Sequence, residues 1–371
     1  MTAGGKPCGK VVVIQPTVPN YRIGFFERLA QRLGPRFVVH ASPQDLGVLT
    51  ERATRPAWER RLGPVRLLYF GLEWQEGVLS IPISEDDIVV VCGSPRSLST
   101  LGLIAKCKLK RVRTIWWGHF WSSTSRQWRA AIRFALMRLP DAIVFYTDQE
   151  VAEYQSVYTS KNDKPVFALN NGIETDEISQ LRVPYVAARR PRDVLFLGRI
   201  TQKAKLELLL DALTNSACRN VTLDVIGSGD CESDLHQRCE SLGIANRVIW
   251  HGGVTDEQVI AAVANDCKLF VYPGAVGLSL IHAFSYGLPS VVHDNRWEHM
   301  PEIAALHAGT NGFLFRQGDA NSLAAVVVDA LSSPERLSAM SAAAIDTTAQ
   351  SYNAEDMTDR FCIAIRKVTG M

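Results

Sequence analysis

Two doubly wound α/β domains are the fold this sequence predicts, and three observations predict it. Short apolar runs of strand length alternate with helical patterns along nearly the whole chain. The alternation breaks over Arg182–Arg192, where Pro184, Pro191 and a cluster of arginines interrupt it, and then resumes. A length of 371 residues suits two ordinary domains and is too great for one common core.

The first series runs Val11–Ile14, a helix over Ile23–Arg32, then Phe37–His40, Ile88–Cys92, Thr114–Trp117, Ala142–Tyr146 and Val166–Leu169. These runs are nearly continuously apolar, as strands of a parallel sheet covered on both faces must be. The second series runs Val194–Leu197, helix Lys205–Leu213, Val221–Ile226, helix Cys231–Leu242, Val248–His251, helix Glu257–Val263, Leu269–Tyr272, helix Ser279–Tyr286 and Ser290–His293. The expected domains are 1–181 and 182–349, facing a central cleft, with a C-terminal helix within 350–371 packing back on the first. Sheets of this kind bind ligands at the carboxyl ends of their strands.

Composition excludes several classes. Hydrophobic content of 47% and charged content of 21% describe a globular chain. The segment Met1–Lys10 is Gly-rich and polar, without the apolar core of a signal peptide, so an unexported, cytoplasmic protein is expected. Leu269–Val292 lacks Asp, Glu, Lys and Arg and is long enough to cross a bilayer. Pro273, Gly274, Gly277, Gly287 and Pro289 punctuate it, so it reads as strand, turn, helix, turn and strand. The eight cysteines form no CxxC pair, which predicts free thiols in a reducing compartment and no metal site. A net charge of +2 points to no partner.

Within Val271–Pro289 a strand ends at Tyr272, and the loop Gly274–Gly277 leads into a helix from about Leu278. Free backbone N–H groups at that helix start, together with its dipole, make a seat for a diphosphate, and the Ser279 hydroxyl adds a donor. The segment resembles the donor-binding motif of glycosyltransferase family 4, the "glycosyl transferases group 1" set, and within it a polysaccharide-making branch. Gly287-Leu288-Pro289 matches the family's Gly-x-Pro turn and Gly277-Leu278-Ser279 its phosphate loop. The two glutamates that frame the family motif fall on Gly274 and His282. The second family glutamate binds the donor ribose; a histidine there hydrogen-bonds a hydroxyl without a negative charge.

Further matches follow the family's order. Met300-Pro301-Glu302-Ile303 and Gly312-Phe313-Leu314-Phe315 resemble its downstream landmarks. After the first strand of the second domain come Gly198 and Arg199, then Lys203 and Lys205. The resemblance implies an Arg and a Lys reaching the donor diphosphate, with Ala204 at the usual lysine position and Lys205 preferred to Lys203. Two such cations offset the growing charge of a leaving nucleoside diphosphate without a metal. Gly227-Ser228-Gly229 resembles the family's G-x-G turn, and His251-Gly252-Gly253-Val254 the loop bracketing the base. In the first half, Pro16–Arg22 resembles the Pro-x-Tyr-Arg acceptor-side segment, with Tyr21 and Arg22; Arg22 meets a phosphate or is an ordinary helix-start cation. Gly118-His119 resembles the family's Gly-His, with His119 near the reacting sugar and Trp121 among aromatic residues able to stack on sugar faces. Asn170-Asn171-Gly172-Ile173 resembles its Asn-Gly-Ile turn.

Leu101–Pro140 carries nine cations and no acid. A helix over Arg126–Leu139 is expected, with Trp128, Ile132, Ala135, Leu136 and Leu139 inward. Contact with an anionic membrane surface suits this charge; no nucleic-acid motif accompanies it. The resemblance implies GT-B architecture and a retaining, metal-independent hexosyltransferase without cofactors, using a nucleotide-sugar donor and a lipid-linked or polysaccharide acceptor. Catalytic roles fall to His119, Arg199 and Lys205. Donor contacts fall to Gly198, Gly227, Gly253, Val254, Gly274, Gly277, Leu278, Ser279 and His282. Gly274 and His282 also keep open a catalytically silent nucleotide-sugar-binding scaffold, and a GT-B epimerase is a third reading.

Overall fold

The computed structural model describes residues 9–44, 46, 50, 54–121, 127–158 and 164–370. Cys8, Arg126 and the side chains of Trp128 and Arg129 lie outside the described residues. The chain divides into two compact units, one of residues 1–170 and 354–371, the other of residues 171–353.

The first unit runs β1 (Val11–Thr17), α1 (Ile23–Leu33), β2 (Phe37–Ser42), β3 (Glu59–Arg61), β4 (Val65–Leu67), β5 (Glu73–Gln75), β6 (Ile88–Cys92), α2 (Leu98–Leu109), β7 (Arg113–Trp117), α3 (Gln127–Met137), β8 (Ala142–Phe145), α4 (Asp148–Tyr158) and β9 (Val166–Ala168). Its seven-stranded sheet has the order β3-β2-β1-β6-β7-β8-β9, parallel throughout. Alternate residues of β1 feed two cores. Val11 and Val13 pack with Phe25, Phe26 and Leu29 on one face. Val12 and Ile14 pack with Leu103, Ile104 and Trp116 on the other. The side-chain period of two puts both sets on one short strand, which is why the run reads as apolar without interruption. β4 and β5 form an antiparallel hairpin outside the main sheet.

The inward face expected of α3 is corrected. Ile132, Ala135 and Leu139 are exposed. Leu136 packs partly against the core as expected, but Met137 is the buried residue, with Phe134 packed partly against the same core. The helix is rotated so that Phe134 reaches the Phe120 ring, 5.5 Å between centroids.

The second unit runs α5 (Asp176–Leu181), β10 (Arg192–Leu197), α6 (Leu206–Leu213), β11 (Leu223–Ile226), α7 (Glu232–Ser241), β12 (Val248–Gly252), α8 (Glu257–Asp266), β13 (Cys267–Tyr272), α9 (Leu278–Ser285), β14 (Ser290–His293), β15 (Gly312–Phe315), α10 (Ala320–Leu331) and α11 (Pro334–Gln350). Its parallel sheet has the order β12-β11-β10-β13-β14-β15. The order reverses between β10 and β13, as it does between β1 and β6 in the first unit; such reversals open ligand crevices at strand ends. The Leu269–Val292 stretch forms parts of β13 and β14 with α9 between them, and no described helix is long and apolar enough to cross a membrane.

The segment 182–192, where the strand–helix alternation breaks, is a packed strap on the second unit. Arg190 is 3% exposed and its Nη1 donates to the carbonyls of Ala264 (2.9 Å) and Cys267 (2.7 Å). Its guanidinium also lies 4.3 Å from the Tyr185 ring centroid. Arg182 Nη1 donates to the Ser285 carbonyl at 2.7 Å. These arginines satisfy strand- and helix-end carbonyls.

The last helix, α12 (Ala354–Thr369), returns to the first unit. Phe361 is 1% exposed and packs edge-on to Phe25 (5.7 Å) and Trp117 (6.1 Å). Arg28 and Arg32 of α1 pair with Glu355, and Arg32 also with Asp359.

Candidate functional site

In the second unit the loops after β10, β11, β12 and β13 converge, and glycines let their backbones touch. A Cβ on Gly227 (φ 151°) would lie 1.9 Å from the Gly198 carbonyl oxygen. One on Gly229 would lie 2.3 Å from the Ile200 oxygen, and one on Gly253 2.6 Å from Ser228 Oγ. Backbone bonds tie the same loops. Gly198 N donates to the Ile226 carbonyl (3.0 Å), Gly227 N to Gly252 (2.8 Å) and Ala275 N to Lys203 (3.0 Å). The result is a floor of main chain at the carboxyl edge of the sheet, in the position where an anion can approach N–H groups closely.

Ser279 stands beside this floor: a Cβ on Gly198 would meet Ser279 Oγ at 3.1 Å and the Tyr272 ring at 3.0 Å. Arg199 is exposed and close enough to Tyr272 to pull its phenol back toward the ordinary range against the raising effect of burial. Lys205 is exposed and caps the start of α6 in a left-handed conformation (φ 55°). Lys203 is exposed too, while Ala204 between them is fully buried. The lysine position of the family motif therefore points into the core in this chain, and both flanking lysines point outward. Leu278 starts α9, and Gly277 before it has no side-chain cap, so the first turn of α9 lacks a side-chain acceptor at its N-cap.

Gly274 has a steric reason to be glycine. A Cβ there would sit 2.0 Å from the Lys203 oxygen and 2.6 Å from the Ala204 carbonyl carbon. A glutamate cannot occupy this loop in its present path. Two carboxylates reach the region from elsewhere in the sequence. Glu302, 3% exposed, accepts from Asn171 Nδ2, and its Oε2 lies 3.5 Å from where a Gly277 Cβ would be. Glu257, the first residue of α8, receives His282: Nε2 lies 2.8 Å from Glu257 Oε1, and Tyr286 donates its hydroxyl to the same oxygen at 2.5 Å. Burial alone would raise the Glu257 carboxyl; the His282 and Tyr286 hydrogen bonds outweigh it and hold the group below the usual carboxylate range. His282 is thus one member of a carboxylate–imidazole–phenol cluster, with its ring stacked on Tyr286.

His251 points to structure. Its Nε2 lies 2.8 Å from buried Asp224, whose other oxygen accepts from Arg192 at 2.5 Å. Gly252 (φ 72°) and Gly253 make the turn after β12, and Val254 packs partly against the core. His299, buried, accepts from Val276 N at Nδ1 (3.2 Å) and reaches the His293 carbonyl through Nε2 (2.9 Å). It props the Gly274–Gly277 loop from beneath. Burial, then the neighbouring His293, pushes its imidazole down to about 4, so it is neutral at physiological pH.

In the first unit the ends of β1, β6, β7 and β8 line a cavity of about 210 Å³ that includes Thr17, Tyr21, Arg22, Cys92, Trp117 and Tyr146. Tyr21 is 45% exposed at its wall and Arg22 is buried. His119 follows β7 and packs against the Tyr146 ring, 4.4 Å between centroids with the planes tilted by 34°. Burial, with Arg133 and Arg22 nearby, pushes His119 down to about 4. It is therefore a neutral hydrogen-bonding group, not a standing cation. Trp116 is fully buried in the core, and Trp121 is half-buried against it. Trp117 and Tyr146 are among the residues that line the cavity. Glu257, Tyr286, Thr17 and Tyr146 carried no motif signal; only the four-residue spacing of His282 and Tyr286, one helical turn, hinted at a pair.

These two strand-edge sites sit on a fold shared with known enzymes of the GT-B class. UDP-bound HepE from Anabaena superposes with a TM-score of 0.68 at 16% identity, covering 96% of this chain and 100% of that one. Sucrose-phosphate synthase from Thermosynechococcus elongatus superposes with a TM-score of 0.69 at 14% identity, covering 98% and 99%. The chain has the α/β fold of this class, and residues 178–347 match the family model "Glycosyl transferases group 1", so the second unit carries a domain of that family. By sequence, 291 residues are 26% identical to a GDP-mannose-dependent alpha-(1-6)-phosphatidylinositol monomannoside mannosyltransferase of Mycolicibacterium smegmatis, over 70% of this chain and 72% of that protein. A glycogen synthase of Alkalilimnicola ehrlichii is 28% identical over 137 residues, and that match spans only 28% of its length.

Proposed function

We propose that the protein is a glycosyltransferase that moves a sugar from a nucleotide-sugar donor to a glycan or lipid-linked acceptor. The observation that carries this is the glycine floor at the edge of the second sheet, flanked by Arg199, Lys205 and Ser279. In this reading the α9 start and Ser279 hold the diphosphate, and the two cations offset its charge as it leaves. Gly253 and Val254 border the base, and the Glu257–His282 pair faces the ribose. Side-chain cations do the work of a metal, and configuration is retained, as the family resemblance implies. Neutral His119 donates a hydrogen bond to the transferred sugar or orients the acceptor, which sits beside Tyr21 and Arg22.

Incubation with UDP- and GDP-sugars and a lipid extract, followed by nucleotide release and product mass, tests the reading. Nucleotide bound but never released with any donor would instead support the silent scaffold that Gly274 keeps open. Membrane association belongs to the same proposal. Lys106 and Lys108 are engaged with the Leu79 carbonyl and Asp141, so the basic segment is partly committed internally. The β4–β5 hairpin favours it more: Leu67, Tyr69 and Phe70 are 76%, 89% and 102% exposed, beside exposed Arg60, Arg61 and Arg66. Apolar tips flanked by cations bind anionic bilayers. Flotation with phosphatidylserine vesicles should fall sharply for the double variant Tyr69→Ser/Phe70→Ser, and unchanged flotation would reject the hairpin as the contact.

A further inference from the structure

We infer that the cavity of the first unit is a seat for an oxyanion, so that the acceptor carries a phosphate ester or carboxylate that docks against Arg22 and Thr17. This rests on the transferase reading for the word acceptor, but the anion seat itself does not.

The cavity wall holds a buried charge that has no counter-charge. Arg22 is 6% exposed. Its guanidinium carbon lies 5.0 Å from the Trp117 ring centroid, 5.5 Å from Tyr21 and 5.7 Å from Tyr146. Ring faces attract a cation but accept no directed hydrogen bond of ordinary strength. The hydrogen-bond acceptor recorded for it is the Met357 sulfur at 3.4 Å from Nη1, and a thioether is a weak one. Five N–H donors thus meet one poor acceptor, and no carboxylate pairs with Arg22 among the described residues. Buried guanidinium groups are ordinarily paired with an acid or with carbonyls. Arg190 in the second unit is an example, on two carbonyls.

The nearest carboxylates are engaged elsewhere or lie behind the wall: Glu150 accepts from the backbone N of Phe120 (2.9 Å) and of Tyr146 (3.0 Å), and Glu73 acts on Cys92, with neither paired to Arg22. Burial pushes the Cys92 thiol up to about 12 and the Tyr146 phenol higher, and it keeps the His119 imidazole neutral. A second buried polar residue lines the same cavity: Thr17, 8% exposed, whose Oγ1 has no hydrogen-bond partner among the described residues. The start of α1 at Ile23 adds positive potential, since it has no side-chain cap and no acid in its first turn. A planar donor fork, a hydroxyl and a helix start are what an oxyanion needs, and a guanidinium suits one bidentately. The Tyr21 ring, 45% exposed at the cavity wall, then lies beside whatever the anion carries, an apolar surface suited to a sugar ring or alkyl stem. The cavity lies where the strand order reverses between β1 and β6, the usual crevice of such sheets. A purely structural Arg22, stapling α12 through Met357, would leave Thr17 and four of the five donors unexplained.

Isothermal titration with inorganic phosphate, glycerol 1-phosphate and acetate, with glucose as the uncharged control, tests the seat in the wild type, Arg22→Gln, Arg22→Lys, Thr17→Val and Arg199→Ala. The expected result is anion binding that falls at least tenfold in Arg22→Gln and severalfold in Thr17→Val, and that Arg199→Ala retains. Tighter binding of glycerol 1-phosphate than of inorganic phosphate assigns the anion to a lipid-type headgroup; equal binding assigns the seat to the bare anion. If Arg22→Gln does not fold, Arg22→Lys reads the same point, because a point charge in place of the fork should weaken phosphate severalfold. Wild-type affinity in the folded Arg22 variant overturns the proposal. Arg22-dependent phosphate binding without turnover of any nucleotide sugar would retire the transferase reading and leave the seat standing. Turnover on uncharged acceptors with no Arg22-dependent anion binding would do the reverse.

Discussion

Replacing Gly274 by alanine should damage both stability and nucleotide binding, although it adds a single methyl group. The new Cβ would stand 2.0 Å from the Lys203 oxygen and 2.6–2.7 Å from the Ala204 carbonyl. These are main-chain atoms that cannot swing aside as a side-chain tip can. An ordinary carbon–oxygen contact needs about 3.4 Å, so the two loops must part by roughly 1.4 Å. That opening breaks the Ala275 N to Lys203 carbonyl bond of 3.0 Å. The lost bond costs about 1 kcal/mol and the overpacking a further 1–3 kcal/mol. With a urea slope of about 2–3 kcal/mol/M for a protein of this kind, the midpoint should drop by about 1 M. Lys205 rides on the displaced strand of backbone, so on the proposed transferase reading the affinity for a nucleoside diphosphate such as UDP should fall about tenfold as well. Urea unfolding followed by tryptophan fluorescence, and calorimetric titration with UDP, measure the two effects. Gly274→Glu, which writes in the family residue, should fare worse than alanine. An alanine variant with the wild-type midpoint and wild-type UDP affinity would refute the argument that this loop excludes a side chain.

Phe361→Ala removes a 1% exposed ring from between Phe25 and Trp117, and should cost about 3–4 kcal/mol in urea unfolding. Acid should weaken the fold before carboxylates titrate. His119 and His299 are held near 4, below the ordinary 6.5, so the unfolded chain binds more protons between these values. Their contribution is complete above about pH 6.5 and is lost on the way down to about pH 4, roughly 1 kcal/mol each at pH 5.5 and about 3 kcal/mol each when complete. Urea midpoints at pH 7.5 and 5.5 should show this loss, and His299→Gln should flatten it. His282→Glu places a second carboxylate where Nε2 now lies 2.8 Å from Glu257; it should destabilise by about 1–3 kcal/mol at pH 7.5, and adding Glu257→Gln should restore most of it. An unchanged melting temperature in the single variant would show that the pair is not formed in solution. Arg199→Ala and Lys205→Ala should each lower turnover about a hundredfold without unfolding the protein; a dead Lys203→Ala beside an active Lys205→Ala would move the cation two residues upstream.

The two sheets were legible because their strands are buried on both faces. Ser290–His293, after the Gly287–Pro289 turn, and Ile88–Cys92 read as strands to the residue. β3 was not, since Glu59-Arg60-Arg61 is a three-residue edge strand with no apolar alternation to betray it. The strap at 182–192 was not legible either, because proline and arginine describe solvated chain and buried carbonyl-capping equally well. The same limit applied at the candidate site. The glycine turns were visible as local signals, and the steric contact of Gly274 with Lys203 was not, because it joins loops 71 residues apart. Glu257 and His282 meet across two helices, a pairing that no spacing rule reveals.

The first unit is sewn from two pieces of chain, residues 1–170 and 354–371, and this has a consequence for how the protein is made. A ribosome delivers the first sheet early, yet Met357 and Phe361, which touch Arg22 and Trp117, emerge only after the whole second unit. The second unit is contiguous and can close on itself while its predecessor still lacks a wall. Domains generally fold in the order they are synthesised; here the order of completion is inverted. Until α12 arrives, the nascent chain shows the Phe25 and Trp117 faces to its surroundings, a surface for a chaperone to hold.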